Sequence, residues 1–263
     1  MVGMFPKEHG AYGQLLFPLA TSLLVTGVTG AALLTAVAAC AAFLSHEPLL
    51  VLLGRRGPRA ARETGRQAMV WWSISAATAV GAGCLALWLT PAGLRWAFAY
   101  PLVPVAIFGG ALAIRREKTA IGELSAAAAF SSLAIPMCRV SGAPASTAFA
   151  VAVVFLGVFL ASTLAVRVVI LAVRGGGDAA AVSTTRRAFF VVVGSVLAGL
   201  VVAGARGELP WAPLLAVAPS WLVATTVAVK PPRPARLKTI GWTLMSASLT
   251  AALILVVVLS SPR

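Results

Sequence analysis

Two histidine–glutamate pairs are the residues of this sequence whose types suit acid–base chemistry. His46 and Glu47 lie inside a long apolar segment, and Glu8 and His9 lie at the start of the first apolar segment. Ionisable groups inside a membrane-spanning helix are costly and mark functional sites. Pro48 removes one backbone hydrogen bond directly after Glu47, so it should kink the helix and shape a cavity. We expect all four ionisable residues to serve as catalytic groups lining a cavity open to the cytoplasm.

Other arrangements of the same pairs remain open. A buried ion pair or hydrogen-bonded cluster could simply hold the first two helices together. Two histidines and two glutamates could also hold a metal ion, although neither pair has the i, i+4 histidine spacing of helical metal sites.

A second charged cluster joins the fourth and fifth apolar segments. Arg115, Arg116 and Lys118 precede Glu123, which lies about one turn inside the following helix. Guanidinium and ammonium groups bind phosphate. We therefore expect the three bases to hold a phosphate group while Glu123 lines the cavity as a further catalytic residue. For the bases alone, an ordinary positively charged cytoplasmic loop is the alternative.

Three more arginines complete the expected phosphate site. Arg62 and Arg66 belong to a run of five arginines that directly follows the second apolar segment. Arg167 lies about two turns inside the end of the sixth segment. Its side chain either extends to the membrane surface or pairs with Glu47 or Glu123.

The composition is that of an integral membrane protein. The 263 residues are 60% hydrophobic and 11% charged, with a mean hydropathy of +0.95, whereas soluble domains are about 25% charged. A net charge of +14 would suggest nucleic acid as the partner of a soluble protein. Here the bases lie in loops between apolar segments. Membrane topology explains them, and we expect the lipid bilayer, not nucleic acid, as the partner.

The apolar segments predict an all-α, polytopic membrane protein with nine transmembrane helices in one domain, residues 1–263. A helix needs about 20 apolar residues to cross a bilayer. The predicted spans are 11–29, 31–53, 68–90, 94–113, 120–137, 147–173, 187–204, 210–229 and 240–259. Only Gly30 separates the first two spans, so we expect them to form a tight helical hairpin.

Loop charges predict the orientation of these spans. The loops after the even-numbered spans are rich in arginine and lysine, whereas the opposite loops hold only Arg95, Arg139 and Arg206. The positive-inside rule then places the N-terminus in the cytoplasm and the C-terminus outside. An odd number of spans agrees with this assignment.

Several short motifs resemble those of a known family. They are Pro6-Lys7-Glu8-His9-Gly10, Glu47-Pro48-Leu49 with the arginines behind it, Arg116-Glu117 with Glu123, and the stretches 162–167 and 238–241. With these motifs the chain resembles, over essentially its whole length, the YwiC-like family of bacterial membrane proteins. Its nine predicted helices and its charged clusters after the second and fourth helices are more remotely similar to the UbiA superfamily of intramembrane prenyltransferases. The resemblance implies a UbiA-like bundle in the bacterial cytoplasmic (inner) membrane.

The UbiA resemblance also implies a function. UbiA enzymes bind a polyprenyl diphosphate through Mg²⁺ held by two aspartate-rich motifs, whose positions correspond here to His46-Glu47 and to Asp178. The resemblance thus implies Glu47 and Asp178 as metal ligands, with arginines partly substituting for the metal. The implied activity is prenyl transfer or terpene cyclisation on an isoprenoid diphosphate. A non-catalytic protein that binds or transports a lipid or another small amphiphile is the alternative, and the sequence leaves open whether the protein is an enzyme.

Overall fold

The structure is a computed structural model that describes residues 4–5, 9–174, 179–232 and 236–260. These residues form helices joined by short turns, with no β-strand among them. The ten α-helices are α1 (His9–Thr26), α2 (Gly30–Leu52), α3 (Pro58–Leu89), α4 (Ala99–Ala113), α5 (Ala120–Ser132), α6 (Ala134–Val140), α7 (Ala145–Arg174), α8 (Ala179–Ala205), α9 (Ala212–Val229) and α10 (Leu237–Leu259). A 3-10 helix at Ala92–Phe98 leads into α4.

The all-helical membrane architecture predicted from hydropathy is confirmed. Within the described ranges, eight helical stretches are long and apolar enough to cross a membrane, and each overlaps one of the predicted spans from the second to the ninth. The first predicted span corresponds to α1, an 18-residue helix that contains Gln14 and Pro18. A membrane crossing by α1, and with it the count of nine and the orientation, stays a prediction.

Two helices begin well before the spans predicted for them. Helix α3 begins at Pro58, where Gly57 with φ 91° reverses the chain and proline occupies the first turn. Arg59 pairs with Glu63 one turn later (Nε to Oε1, 2.7 Å). Helix α8 likewise begins at Ala179. The predicted spans cover only the most apolar part of each helix. Each helix starts two or more turns earlier, in less apolar sequence.

The stretch predicted as one span at 120–137 is two helices, and this changes how α1 and α2 pack. The break falls at Leu133. Pro136, three residues later, has no N–H to continue the hydrogen-bond ladder of α5. Helix α6 then contacts both α1 and α2, which have few close contacts with each other. Helices α1 and α2 are joined by only three residues, as expected of a hairpin, but they are not tightly packed on each other, because α6 contacts both.

The core of the protein surrounds α7. Phe155, Val158, Ala161 and Val168 are fully buried, and α7 packs against α5, α6, α8, α9 and α10. The outer helices α3 and α8 expose apolar residues such as Val80 and Val191, each 66% exposed. Exposed apolar side chains on long helices fit contact with lipid, so α7 and its neighbours are the part that can shape an internal site.

Candidate functional site

One large cavity lies among α1, α2, α4, α5, α7 and α10, with a volume of about 1220 Å³. Its charged end is lined by Glu47, Arg55, Arg56, Arg115, Glu117, Lys118, Glu123 and Arg167. Its apolar end is lined by residues deeper in the same helices, namely Phe17, Phe130, Leu133, Phe159 and Met245. The wall residues of α7 extend from Phe159 to Ile170, which corresponds to about 16 Å along the helix axis.

Glu47 is held at the charged end by Arg56. Arg56 Nε donates to Glu47 Oε1 at 2.7 Å, and Arg56 Nη2 donates to Glu47 Oε2. A tight reversal after α2 makes this possible: Gly54 adopts φ 68°, and the Arg55 N–H donates to the Leu50 carbonyl at 2.8 Å. The chain therefore folds back, and Arg56 meets the carboxylate nine residues before it. Glu47 is only 3% exposed.

Arg55 joins α2 to the end of α4. Its Nη2 donates to the carbonyls of Leu112 (2.7 Å) and Ala113 (3.3 Å), and its Nη1 donates to Glu117 Oε2 at 3.3 Å. The last carbonyls of a helix have no partner within the helix, so a guanidinium there satisfies them and complements the negative end of the helix dipole.

Glu123 and Arg167 link α5 to α7. Arg167 Nη1 donates to Glu123 Oε2 at 3.0 Å and to the Lys118 carbonyl at 3.4 Å. The sequence left three places open for the Arg167 side chain, and the structure places it on Glu123. The resulting pair forms part of the cavity wall.

Arg115 and Lys118 are the two cations of the charged end that form no ion pair with another described residue. Both are exposed. Arg115 has φ 60°, a left-handed backbone conformation that costs a non-glycine residue about 1–2 kcal/mol. Glycine usually occupies this position after a helix. Strain of this kind is typical of functional sites.

The predicted phosphate-binding residues divide into two groups. Arg115, Lys118 and Arg167 line the cavity. Arg62, Arg66 and Arg116 are exposed and lie outside its wall, because the early start of α3 carries the first two along an outward-facing helix. The six expected cations therefore do not form one cluster.

The predicted catalytic residues are only partly brought together. His46, Glu47 and Glu123 all line the cavity, and the His46 ring packs on Phe108 of α4 with centroids 5.6 Å apart. His9 begins α1, and its side chain, like the whole of Glu8, lies outside the described residues.

The described residues do not fit the expected magnesium site. Both oxygens of Glu47 accept hydrogen bonds from Arg56, and Glu117 and Glu123 are each paired with an arginine. Magnesium is held by carboxylate oxygens in near-octahedral geometry. In the part of the chain that the structure describes, no group of three or more His, Cys, Asp or Glu residues could hold a metal ion. Asp178 lies outside that part.

Sequence reasoning selects Arg62 and Arg66 from the arginine run and misses Arg55 and Arg56, because the order of residues in the run does not show which of them face the cavity. The sequence feature that could have identified them is the pair of glycines on either side, Gly54 and Gly57. These glycines predict a sharp turn directly after a helix that contains an acidic residue. Sequence reasoning also missed the phenylalanine side chains that line the cavity, because they do not belong to any recognisable motif. These rings are spread over α1, α2, α4, α5 and α7.

Comparison with known proteins identifies a family. No curated protein and no solved structure significantly matches the chain. The sequence profile of the YwiC-like protein family matches residues 5–138, about half of the chain. The matched region contains Glu47, Arg56, Arg115 and Glu123, and thus most of the charged end of the cavity. The chain belongs to the YwiC-like family.

Proposed function

We propose that the protein binds an isoprenoid diphosphate in this cavity and transfers or cyclises its prenyl chain. One observation carries the proposal: a cavity within the helical bundle joins an end where, among the described residues, Arg115 and Lys118 stand outside the ion pairs to an end lined by apolar side chains. An amphiphile with an anionic headgroup and a hydrocarbon tail is complementary to both ends. We place the protein in the bacterial cytoplasmic membrane with the charged end on the cytoplasmic side.

The headgroup would lie at Arg115 and Lys118. Arginine binds phosphate oxygens through two parallel hydrogen bonds, and lysine adds a point charge. The three ion-paired glutamates cancel the charge of their arginine partners, so the two remaining cations give the described charged end a net positive character. That character favours a diphosphate over a neutral or cationic headgroup.

The prenyl chain would extend toward Phe130 and Phe159. The Phe43 ring contacts those of Tyr12 (5.0 Å between centroids) and Phe130 (5.8 Å), in edge-to-face geometry. Aromatic faces stabilise a neighbouring positive charge. A wall of such rings therefore suits an allylic carbocation as well as the apolar chain from which it forms.

In the proposed reaction the bond between the first prenyl carbon and its diphosphate oxygen breaks, and the electron pair leaves with the diphosphate. Arg115 and Lys118 stabilise the negative charge that develops on that leaving group. The carbocation then forms a carbon bond with an acceptor or with a double bond of its own chain. The product cation then loses a proton to His46 on the cavity wall, which we assign as the acceptor, and this completes the reaction. A distant relationship to UbiA prenyltransferases is part of this proposal.

A non-catalytic lipid-binding protein on the same scaffold is the second candidate. The observation that favours it is the pairing of Glu47, Glu117 and Glu123, each with its own arginine. Carboxylates in such pairs contribute to structure and are poorly placed to move protons. Under this candidate the amphiphile binds without turnover.

Ligand binding to the protein in nanodiscs tests the proposal. Geranyl, farnesyl and geranylgeranyl diphosphates are titrated against the wild type, with farnesol and inorganic diphosphate as controls for each end of the ligand. We expect farnesyl diphosphate to bind more tightly than either control. Arg115→Gln and Lys118→Gln should each weaken its binding by about tenfold, since a hydrogen bond to a charged group contributes about 1.5–3 kcal/mol.

Arg62→Gln and Arg66→Gln are the matched controls, because they remove the same charge from outside the cavity. Equal weakening by all four variants would indicate attraction to net charge and would contradict a cavity site. Product analysis after incubation separates the two candidates: released diphosphate supports catalysis, whereas binding that leaves the ligand intact supports the non-catalytic protein.

A further inference from the structure

Helices α8 and α9 lie outside the wall of the large cavity, because none of the described wall residues belongs to them. Both pack closely on α7, whereas they pack much less on each other. The three helices meet at Gly157 of α7, where an added Cβ would lie 3.0 Å from Val196 Cγ1 of α8 and 3.2 Å from Trp221 Cζ2 of α9. The loose packing leaves a groove on the outer surface between residues 186–196 of α8 and 221–230 of α9, which we call the α8–α9 groove.

Two cations lie at the same level of this groove. Arg186 precedes Val196 by about 15 Å along α8, and Lys230 follows Trp221 by about 13 Å along α9. The two helices are joined by residues 206–211 and run in opposite directions, so both distances point to the same end of the bundle. That end also carries the charged end of the cavity, since α8 begins shortly after α7 ends there.

Both cations lie at an edge of the hydrocarbon layer. Residues 188–205 of α8 are uncharged and extend over about 27 Å, and α9 has the same length and no charge. The hydrocarbon core of a bilayer is about 30 Å thick. The level of Arg186 and Lys230 therefore coincides with the layer of lipid phosphate groups.

Arg186 is turned toward the protein but has no acidic partner among the described residues. It lies three residues before the fully buried Phe189, on the side of α8 that faces the core. Its side chain is partly buried, and its Nε is inaccessible to solvent and donates no hydrogen bond. Glu208, at the opposite end of α8, is the one acidic residue described after Glu123. A charge withdrawn from water without a partner is unfavourable, so this position suits a ligand that brings negative charge.

We propose that the α8–α9 groove binds an anionic phospholipid of the surrounding bilayer, with the lipid phosphate at Arg186 and Lys230. Arginine binds phosphate oxygens through paired hydrogen bonds, and basic sites between membrane helices are typical positions for anionic headgroups. Lys230 is exposed, so its ammonium group can approach the phosphate from the other side of the groove. Val193 and Val223, partly buried against the core between the cations and Gly157, offer apolar surface to an acyl chain.

Thermal unfolding of the full protein in mixed micelles tests this site. Palmitoyl-oleoyl phosphatidylglycerol or palmitoyl-oleoyl phosphatidylcholine is added at increasing mole fraction, since a lipid that binds the folded protein raises its unfolding temperature. We expect phosphatidylglycerol to stabilise the wild type at a lower mole fraction than phosphatidylcholine does. Arg186→Gln and Lys230→Gln should each raise the half-maximal mole fraction of phosphatidylglycerol about tenfold, because each removes a charged hydrogen bond to the phosphate.

Arg187→Gln is the matched control, because it removes the same charge from the next, exposed position of α8. Its response to phosphatidylglycerol should stay close to that of the wild type. Equal weakening by Arg186→Gln and Arg187→Gln would overturn the proposal, because general attraction to positive charge would then explain the response. Stabilisation by inorganic phosphate as strong as that by phosphatidylglycerol would also overturn it, because the ligand would then be a free anion.

Stability in phosphatidylcholine alone separates a lipid site from a structural role of Arg186. There Arg186→Gln should not lower the unfolding temperature, because the substitution removes no partner within the protein. A lower temperature would overturn the proposal, since the guanidinium would then be paired inside the protein. The site is independent of the proposed function: Arg186→Gln should leave binding of farnesyl diphosphate unchanged, and a wild type that does not bind farnesyl diphosphate would contradict only the proposed function.

Discussion

Arg56 binds Glu47 through both carboxylate oxygens, although the two residues are only nine positions apart and belong to a helix and to the turn that follows it. The reversal at Gly54 makes the contact local in sequence. The glutamate is buried and its partner is about one-third exposed, with side-chain exposures of 4% and 34%. The pair fixes the direction in which the chain leaves α2 and enters α3.

Glu47→Gln should destabilise the protein, because glutamine keeps one acceptor but presents an N–H₂ group to the Arg56 guanidinium. Breaking a buried pair costs about 3–5 kcal/mol; the partial exposure of Arg56 and the remaining acceptor reduce this to about 2 kcal/mol. Thermal unfolding in detergent measures the change. Glu63→Gln removes an equally charged side chain from the exposed pair with Arg59, and there we expect about 0.5 kcal/mol or less. Equal losses in the two variants would contradict a structural role specific to the Glu47–Arg56 pair.

Arg115→Gly should separate stability from binding. Glycine adopts the left-handed backbone of this position without strain, so the variant should gain about 1 kcal/mol of stability. It also lacks the guanidinium, so binding of farnesyl diphosphate should fall. Arg116→Gly is the control, since Arg116 lies outside the cavity wall and has no positive φ. A variant at position 115 that is less stable than the wild type would show that the left-handed conformation carries no strain.

Gly122→Ala should distort the turn that presents Lys118 and Glu123. A Cβ atom on Gly122 would lie 2.4 Å from the Glu117 carbonyl oxygen, so the backbone must shift. We expect a loss of about 1–3 kcal/mol, as for other overpacked sites, together with weaker diphosphate binding.

The control for this substitution is Gly110→Ala in α4, where an added Cβ meets no atom within 4 Å. Its stability should be unchanged or slightly higher, since alanine favours helix more than glycine does. Unfolding midpoints and diphosphate titrations of both variants decide the point. Unchanged stability and diphosphate binding in the Gly122 variant would contradict this prediction and show that the backbone at Glu117 can shift at little cost.

Binding of farnesyl diphosphate should persist in the presence of EDTA. The carboxylates of the described charged end are already bound by Arg55, Arg56 and Arg167, so the headgroup interacts with Arg115 and Lys118 directly. Isothermal titrations with EDTA and with added Mg²⁺ measure the difference. An affinity that appears only with Mg²⁺ would point to metal ligands outside the described residues, Asp178 among them.

The orientation can be tested by labelling with a membrane-impermeant thiol reagent. In a background without Cys40, Cys84 and Cys138, single cysteines are introduced by Arg59→Cys and Glu208→Cys at exposed sites on opposite ends of the bundle. The positive-inside rule predicts that the reagent labels the second in intact cells and the first only after permeabilisation. The reverse labelling pattern would show that the protein has the opposite orientation in the membrane.

The helices could be predicted from the sequence because apolar runs of membrane length have few alternative structures. Their ends could not, since α3 starts at Pro58 in polar sequence, and α8 starts at Ala179, before the polar residues 183–187, and hydropathy treats both stretches as loop. Glu47 and Glu123 were identified as site residues because a charge inside an apolar helix is conspicuous. Their ion-pair partners could not be predicted. The position of the Arg56 side chain depends on the turn at Gly54, and the Arg167 side chain had three acceptable positions. Sequence proximity alone groups Arg62 and Arg66 with the site, since it does not show which face of α3 they occupy.

Helix α6 gives the cavity a floor. Along α5 and into α6 the lining residues end at Leu133, and Ala134, Ile135, Met137 and Cys138 directly after it are buried in the core. A molecule that reaches Leu133 from the charged end thus meets the packed residues of α6. Passage beyond Leu133 would require α6 to move away from α1 and α2, which it contacts. For the proposed function, a cavity closed by α6 favours a molecule that is held or converted in place over one that is carried past that helix.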